Sequence, residues 1–229
     1  MRKIGLLGGM SWESTALYYE LINREVRDRL GGLHSARCIL SSVDFHDIEA
    51  LQRSGDWDAA AARLADESRD LERAGAECLV LCTNTMHKVA GQIADAIDIP
   101  LLHLADVTAA AVRDAGLEQV ALLGTRFTME ETFYLGRLAW GFVAATVPDE
   151  ADRALVDKVI YEELVLGEVR EESRTEFRRI IDGLVAEGCQ GVILGCTEIE
   201  LLIGPDDVAV PVFPTTALHA RAAVDFALG

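Results

Sequence analysis

Short apolar runs alternate with long amphipathic stretches along the whole chain. Ile4–Leu7 reads as a buried strand, and Leu17, Leu21, Ile22, Val26 and Leu30 follow on one helical face. Ile39–Val43 predicts the next strand, Ala59–Leu71 a helix, Cys78–Leu81 a strand and Val89–Ile97 a helix. Pro100–Leu102 predicts a strand and Thr108–Ala115 an Ala-rich helix; Val120–Leu123 is a strand with a helix beyond Thr128. Asp152–Ile181 reads as two helices broken near Gly167, followed by strands at Val192–Leu194 and Val212–Phe213 and a final helix over Leu218–Leu228. Strands separated by helices of this length need crossover connections, and so form parallel sheets.

The pattern repeats itself. Ile4-Gly5-Leu6-Leu7-Gly8 is echoed by Val120-Ala121-Leu122-Leu123-Gly124, 116 residues on. Gly75–Thr83 is echoed by Gly188–Cys196 at an offset of 113, and Ile99-Pro100-Leu101-Leu102 by Val210-Pro211-Val212-Phe213 at 111. Three matches in one order at nearly one offset predict an α/β protein of two pseudo-symmetric Rossmann-like domains with mostly parallel sheets. The expected division is 1–97 plus 206–229 for the first domain and 98–205 for the second. Ligand is expected at the strand carboxyl ends, in a cleft between the domains.

Composition narrows the function. The 229 residues carry 21 Lys+Arg against 38 Asp+Glu, a formal charge of −17. No block is basic enough to displace phosphate counterions, which argues against nucleic acid and against an anionic membrane surface. Half the residues are apolar, enough for a sizeable core, yet no apolar run approaches a membrane span. The N-terminus lacks the form of a signal peptide. A soluble, cytoplasmic protein is expected. Cys38, Cys78, Cys82, Cys189 and Cys196 are odd in number, which favours reduced thiols over a disulfide framework.

Chemistry is expected where the strands stop. Gly8-Gly9-Met10-Ser11 is a glycine turn entering a helix, where backbone approaches a ligand closely and N–H groups face an anion. A tight turn alone explains the glycines equally well. Cys82-Thr83-Asn84-Thr85-Met86-His87 sets a thiol, two hydroxyls and an amide at one strand end, and Gly195-Cys196-Thr197-Glu198 is its counterpart in the repeat. A thiol at a helix N-terminus is expected to have its thiolate favoured. Gly124-Thr125-Arg126-Phe127-Thr128, which matches the glycine turn of the other half, adds Arg126, and Arg170 is a further cation; both are weaker candidates. Dinucleotide and P-loop fingerprints are absent, metal-ligand spacings are poor, and the five histidines are scattered.

Gly-Gly-Met-Ser, Thr83-Asn84-Thr85 and Gly195-Cys196-Thr197-Glu198 resemble the aspartate/glutamate racemase superfamily, over essentially the whole chain. Leu81–Lys88 resembles the bacterial branch of L-aspartate/glutamate-specific and broad-specificity amino-acid racemases. The resemblance implies a small amino-acid substrate, no cofactor and a homodimer, and the poor ligand spacings argue against a metal. Relatives use two cysteines, one in Cys-Asn-Thr and one in Gly-Cys-Thr-Glu; here the first motif reads Thr-Asn-Thr. The nearby Cys82 is not the missing base, because the repeat sets Thr83 on Cys196 and Cys82 on Gly195. Adjacent strand residues point to opposite sides, so Cys82 is expected in the core.

The expected reaction is inversion at Cα by proton transfer on two faces. Cys196 is assigned as acceptor and Thr83 as donor, since an alkoxide is out of reach at neutral pH. Asn84, Thr85, Thr197 and Glu198, with Met10 from the glycine turn, are expected to hold the substrate α-carboxylate. Gln52 resembles a position where aspartate-specific relatives carry an Arg for a second carboxylate. Two other readings stay open: a single-cysteine cousin, such as a malonate-type decarboxylase or a diacid isomerase, and a catalytically weak amino-acid-binding protein.

Overall fold

The computed structural model describes residues 1–229, which divide into two compact units: Met1–Leu104 with His219–Gly229, and Ala105–Leu218. In the first unit β1 (Ile4–Gly8) pairs with β2 (Cys38–Ser42) and β3 (Cys78–Leu81), and β3 pairs with β4 (Leu101–Leu102). All pairings are parallel, in the order β2-β1-β3-β4. Helices α1 (Trp12–Leu30), α2 (Phe45–Ser54), α3 (Trp57–Arg73) and α4 (Ala90–Ala94) fill the connections. Helix α5 (Leu104–Asp114) starts at the point where the chain leaves this unit.

The second unit repeats the plan. β5 (Gln119–Gly124) pairs with β6 (Ala144–Thr146) and β7 (Val192–Gly195), and β7 with β8 (Val212–Pro214), giving the parallel order β6-β5-β7-β8. Its helices are α6 (Arg126–Glu130), α7 (Thr132–Trp140), α8 (Glu150–Glu162) and α9 (Glu171–Ala186). Helix α10 (Thr215–Leu228) begins here and ends in the first unit.

Alternation along the strands sorts the core into layers. Leu7, Leu79 and Leu81 pack with Leu64 and Leu71 of α3 and with Met86 and Ile93. Their strand neighbours Ile4, Leu6, Val80 and Cys82 pack on Tyr18, Ile22 and Val26 of α1 and on Ala220, Ala223 and Val224 of α10. Strands buried on both faces read as unbroken apolar runs, which is why β1, β3, β5 and β7 are visible in the sequence. In the second unit Ala121, Leu123, Val192 and Leu194 meet Val156, Ile160, Phe177 and Ile181 of α8 and α9. Several of the helices start on side-chain caps: Ser11 accepts from Ser14 N–H, Asp44 from His46 N–H, Asp56 from Ala59 N–H and Asp149 from Asp152 N–H.

Several expectations shift. β6 is a three-residue edge strand with no apolar run to announce it. Helix α2 was not expected; Asp44 caps it, and Phe45, Ile48 and Leu51 give it an inward face. The helix expected over Val89–Ile97 is a 3-10 turn at Thr85–Val89 followed by the five residues of α4. The break expected near Gly167 is there, with φ 76° in the left-handed region. The units change at Leu104/Ala105 and Leu218/His219, later than the expected 97/98 and 205/206. The reason is strand pairing: β4 hydrogen-bonds to β3 and β8 to β7, so each stays with its own sheet.

Three of the five histidines are not scattered. His87, His103 and His219 gather in the first unit, with ring centroids 4.6 Å apart for His87–His103 and 5.7 Å for His87–His219. His219 is fully buried and donates from Nε2 to the Leu102 carbonyl at 2.7 Å; its Nδ1 accepts from Tyr18 Oη at 2.9 Å. Burial drives its pKa down to about 4. An unfolded histidine titrates near 6.5, so between about 6.5 and 4 the unfolded chain takes a proton that the fold excludes. His219 therefore destabilises the fold progressively as pH falls through that window. Burial lowers His87 in the same direction. Urea unfolding of wild type and His219→Gln at pH 7 and pH 5 is expected to show the gap between them moving by about 2 kcal/mol in the variant's favour at pH 5. An unchanged gap would contradict the buried neutral state.

Candidate active site

The glycine turn after β1 is shaped by close approach. Gly9 has φ 91°, and a Cβ there would lie 2.1 Å from the Val43 carbonyl oxygen. Its N–H donates to Thr15 Oγ1 at 2.8 Å, and Thr15 Oγ1 donates to the Ser11 carbonyl at 2.8 Å. With Ser14 N–H capped by Ser11, two of the amides expected to face an anion are satisfied internally. The Met10 side chain is buried against Met86, Leu7, Val43 and Ile48, so any ligand role belongs to its backbone.

The turn after β3 collects the first polar cluster. Cys82 N–H donates to the Leu7 carbonyl and ends the ladder, and Thr83 N–H turns back to the Leu81 carbonyl at 2.8 Å. Cys82 is fully buried in the layer of Ile4, Leu6 and Val80, and burial holds its thiol firmly protonated. It is a core residue, facing away from Leu81 and Met86. Thr83 is half-buried, while Asn84 and Thr85 lie at the start of the 3-10 turn and are buried. Gln52, on α2, donates from Nε2 to the Met86 sulfur at 2.9 Å, which brings it to this same segment.

The turn after β7 carries the second cluster. Gly195 pairs with Gly124, and a Cβ on Gly195 would come within 2.9 Å of the Leu123 carbonyl oxygen. Cys196 follows, 9% exposed, and its thiol donates to Glu198 Oε2 at 2.9 Å. The Glu198 N–H points back at the sulfur. Glu198 is thus engaged with Cys196 through both backbone and side chain, which removes it from the expected ring of substrate-carboxylate donors. Thr197 Oγ1 meets Thr216 Oγ1 at 2.9 Å. Glu200, beside Glu198, takes hydrogen bonds from the backbone and hydroxyl of Thr216, yet burial still pushes its carboxyl up to about 7.

The thiolate expected at Cys196 is not the resting state. Burial comes first, and the Glu198 and Glu200 carboxylates add to it; together they push the thiol well above its ordinary value. The helix it precedes is a single 3-10 turn, Thr197–Leu201, too short for an axial dipole to offset two carboxylates. The proton sits on sulfur with an acceptor already in contact.

The weaker cations are spoken for. Arg126 lies 4.0 Å from Asp157, and Arg170 pairs with Glu163 and Glu168. The sequence reading missed Glu198 as partner of Cys196, although two residues of spacing across a tight turn is the signal for it. It missed Glu200 altogether.

A model of the Asp/Glu/hydantoin racemase family matches residues 7–223. A crystal structure described as that of a candidate Asp/Glu racemase from Yersinia pestis is 54% identical over the whole of both chains, with a TM-score of 0.96. An aspartate racemase homologue from Pyrococcus horikoshii is 32% identical, again over the whole of both chains, with a TM-score of 0.88. At 20% identity the aspartate racemase of Picrophilus torridus shares the fold, with a TM-score of 0.80 over 99% of this chain and 94% of its own. A family match across nearly the full length, with two whole-length relatives above 30% identity, means that this chain belongs to the Asp/Glu/hydantoin racemase family.

Proposed function

We propose that this racemase inverts Cα of an acidic amino acid, L-glutamate or L-aspartate, without a cofactor, using Cys196 as proton acceptor and Thr83 as proton donor. The observation that carries the reading is the 2.9 Å contact from the Cys196 thiol to the Glu198 carboxylate. A protonated thiol is no base, but a thiol with a carboxylate in contact becomes one by passing its proton across. Thiol and carboxylate exchange one proton, giving thiolate and carboxylic acid; the thiolate then takes the Cα proton and becomes a thiol again. The electron pair left on Cα spreads into the α-carboxylate, which needs donors at that moment more than before it. Asn84, Thr85 and Thr197, with the backbone at Met10, are proposed to supply them.

On the other face Thr83 gives its hydroxyl proton to Cα while taking another from solvent, so that no free alkoxide forms, and Glu198 releases to solvent the proton it took from the thiol, so that one proton enters, one leaves and both groups return to their starting states. Gln52 is proposed to reach the side-chain carboxylate of the substrate, and as a neutral amide it also admits neutral polar side chains. Family membership and the equivalence of the two turns in the repeat support the pairing of Thr83 with Cys196.

Incubating L-glutamate and L-aspartate with the protein in D2O and following Cα–H by NMR and chiral chromatography tests the reading. Deuterium at Cα together with the D enantiomer is expected. Binding with neither exchange nor inversion for any amino acid would leave an amino-acid-binding protein instead. Glu198→Gln removes the acceptor but keeps the shape; its kcat for inversion is expected to fall by about 10²-fold or more. A variant within a few-fold of wild type would mean that the thiol loses its proton elsewhere.

A further inference from the structure

We propose that His87 is a positioning residue that fixes the Thr83 strand end for proton delivery, acting through the Thr83 carbonyl on one side and the Leu104 amide on the other. The inference rests on the reading of Thr83 as donor. Thr83 lies beyond the paired residues of β3, which end at Leu81, so the sheet ladder does not hold it. Its own N–H only closes a tight turn on Leu81. The Thr83 carbonyl, however, meets His87 Nδ1 at 2.7 Å, and Leu104 N–H donates to His87 Nε2 at 3.2 Å.

These two contacts determine the tautomer. A carbonyl only accepts, so Nδ1 carries the hydrogen; the Leu104 amide only donates, so Nε2 is bare. Both nitrogens are used and the ring is neutral. It is 2% exposed and packed edge-on against His103 and His219. The ring therefore ties the Thr83 turn to Leu104, the residue at which the chain leaves the first unit. A leucine would fill the same volume, but it would leave one buried carbonyl and one buried amide without these partners. Proton delivery to one face of Cα depends on sub-ångström placement, and misplacement by about 1 Å costs on the order of 10²-fold.

Two substitutions separate the two nitrogens. His87→Asn places an amide donor near the Nδ1 position and keeps the bond to Thr83. His87→Gln places an amide oxygen near the Nε2 position, keeping the Leu104 acceptor and losing the Thr83 bond. The readout is the ratio of Cα deuteration with retention to inversion, starting from L-glutamate and L-aspartate in D2O. When Thr83 is misplaced, a carbanion formed at Cys196 is reprotonated from the Cys196 side. His87→Gln is expected to lower kcat for inversion by about 10- to 100-fold with KM within about threefold, and to raise the retention-to-inversion ratio by about tenfold. His87→Asn is expected to stay within about threefold of wild type in both.

An unchanged ratio in folded His87→Gln, or parallel loss of exchange and inversion in both variants, would overturn the inference. Wild-type protein that neither exchanges nor inverts would instead overturn the racemase reading, and this inference with it. Should His87→Gln fail to fold, 15N NMR of the histidine rings in the intact protein decides: His87 is expected as the neutral Nδ1–H tautomer at pH 7, and an Nε2–H tautomer would overturn the inference.

Discussion

Cys196→Ser is expected to abolish inversion of L-glutamate and L-aspartate, by at least about 10³-fold in kcat. The thiol donates directly to the Glu198 carboxylate at 2.9 Å and is the group proposed to lose its proton to it. A serine hydroxyl in its place still hydrogen-bonds to Glu198, but its pKa lies far above that of any carboxylate, so the proton stays. Binding is expected to survive, because the sulfur removes a proton rather than holding the carboxylates; KM or Kd should move by no more than about threefold. The paired control is Cys82→Ser. Cys82 is sealed in the layer of Ile4, Leu6, Val80, Tyr18 and Ile22, and its replacement buries a hydroxyl for a cost of about 1–3 kcal/mol in stability. Inversion by the folded variant is expected to stay within about threefold of wild type. Full activity in Cys196→Ser, or its loss in properly folded Cys82→Ser, would reverse the assignment of the two thiols.

Thr83→Cys is the second large effect, and it is a gain. The equilibrium constant between enantiomers is one by symmetry, so kcat/KM must be equal in the two directions for every variant. A handed enzyme shows its handedness only in kcat and KM taken separately. In the proposed mechanism the hydroxyl at position 83 gives a proton but does not readily take one back, so turnover from the D side is expected to be slow. A thiol there has a free pKa of about 8.5 and does both. The kcat for D-glutamate or D-aspartate is expected to rise by at least about tenfold in Thr83→Cys, with the Haldane ratio still one. A kcat from the D side that is unchanged or lower, in a folded variant that binds substrate, would mean that residue 83 does not face Cα.

The sequence carried the frame of this account because its strongest signals are buried parallel strands. β1, β3, β5 and β7 are apolar throughout, and their echo at nearly constant offset implied two units of one plan; both sheets have the same order. The same echo pairs Val210–Phe213 with Ile99–Leu102 and so already placed β8 beside β7; a boundary at 205/206 went against it. β6 escaped because three edge residues have no periodicity. The proposed site was legible at Thr83 and Cys196, where polar residues follow an apolar strand, and illegible where it depends on contacts across the chain. The charge state of Cys196 is set by burial and by two carboxylates, quantities that a local rule about helix ends does not contain. His87 and His219 looked isolated because their partners, Leu104, Leu102 and Tyr18, lie on other elements.

The central claim is that protons leave and arrive at Cα on opposite faces through two different residues. Its most direct measurement is the isotope content of both enantiomers in the first few per cent of reaction, starting from protiated L-glutamate in D2O and reading each enantiomer by chiral chromatography with mass spectrometry. The D product is expected to carry deuterium at Cα from the first turnovers, delivered at Thr83, while the remaining L substrate is still almost entirely protiated. D product that keeps the substrate's own protium would mean that one group carries the proton from face to face, and would contradict the account.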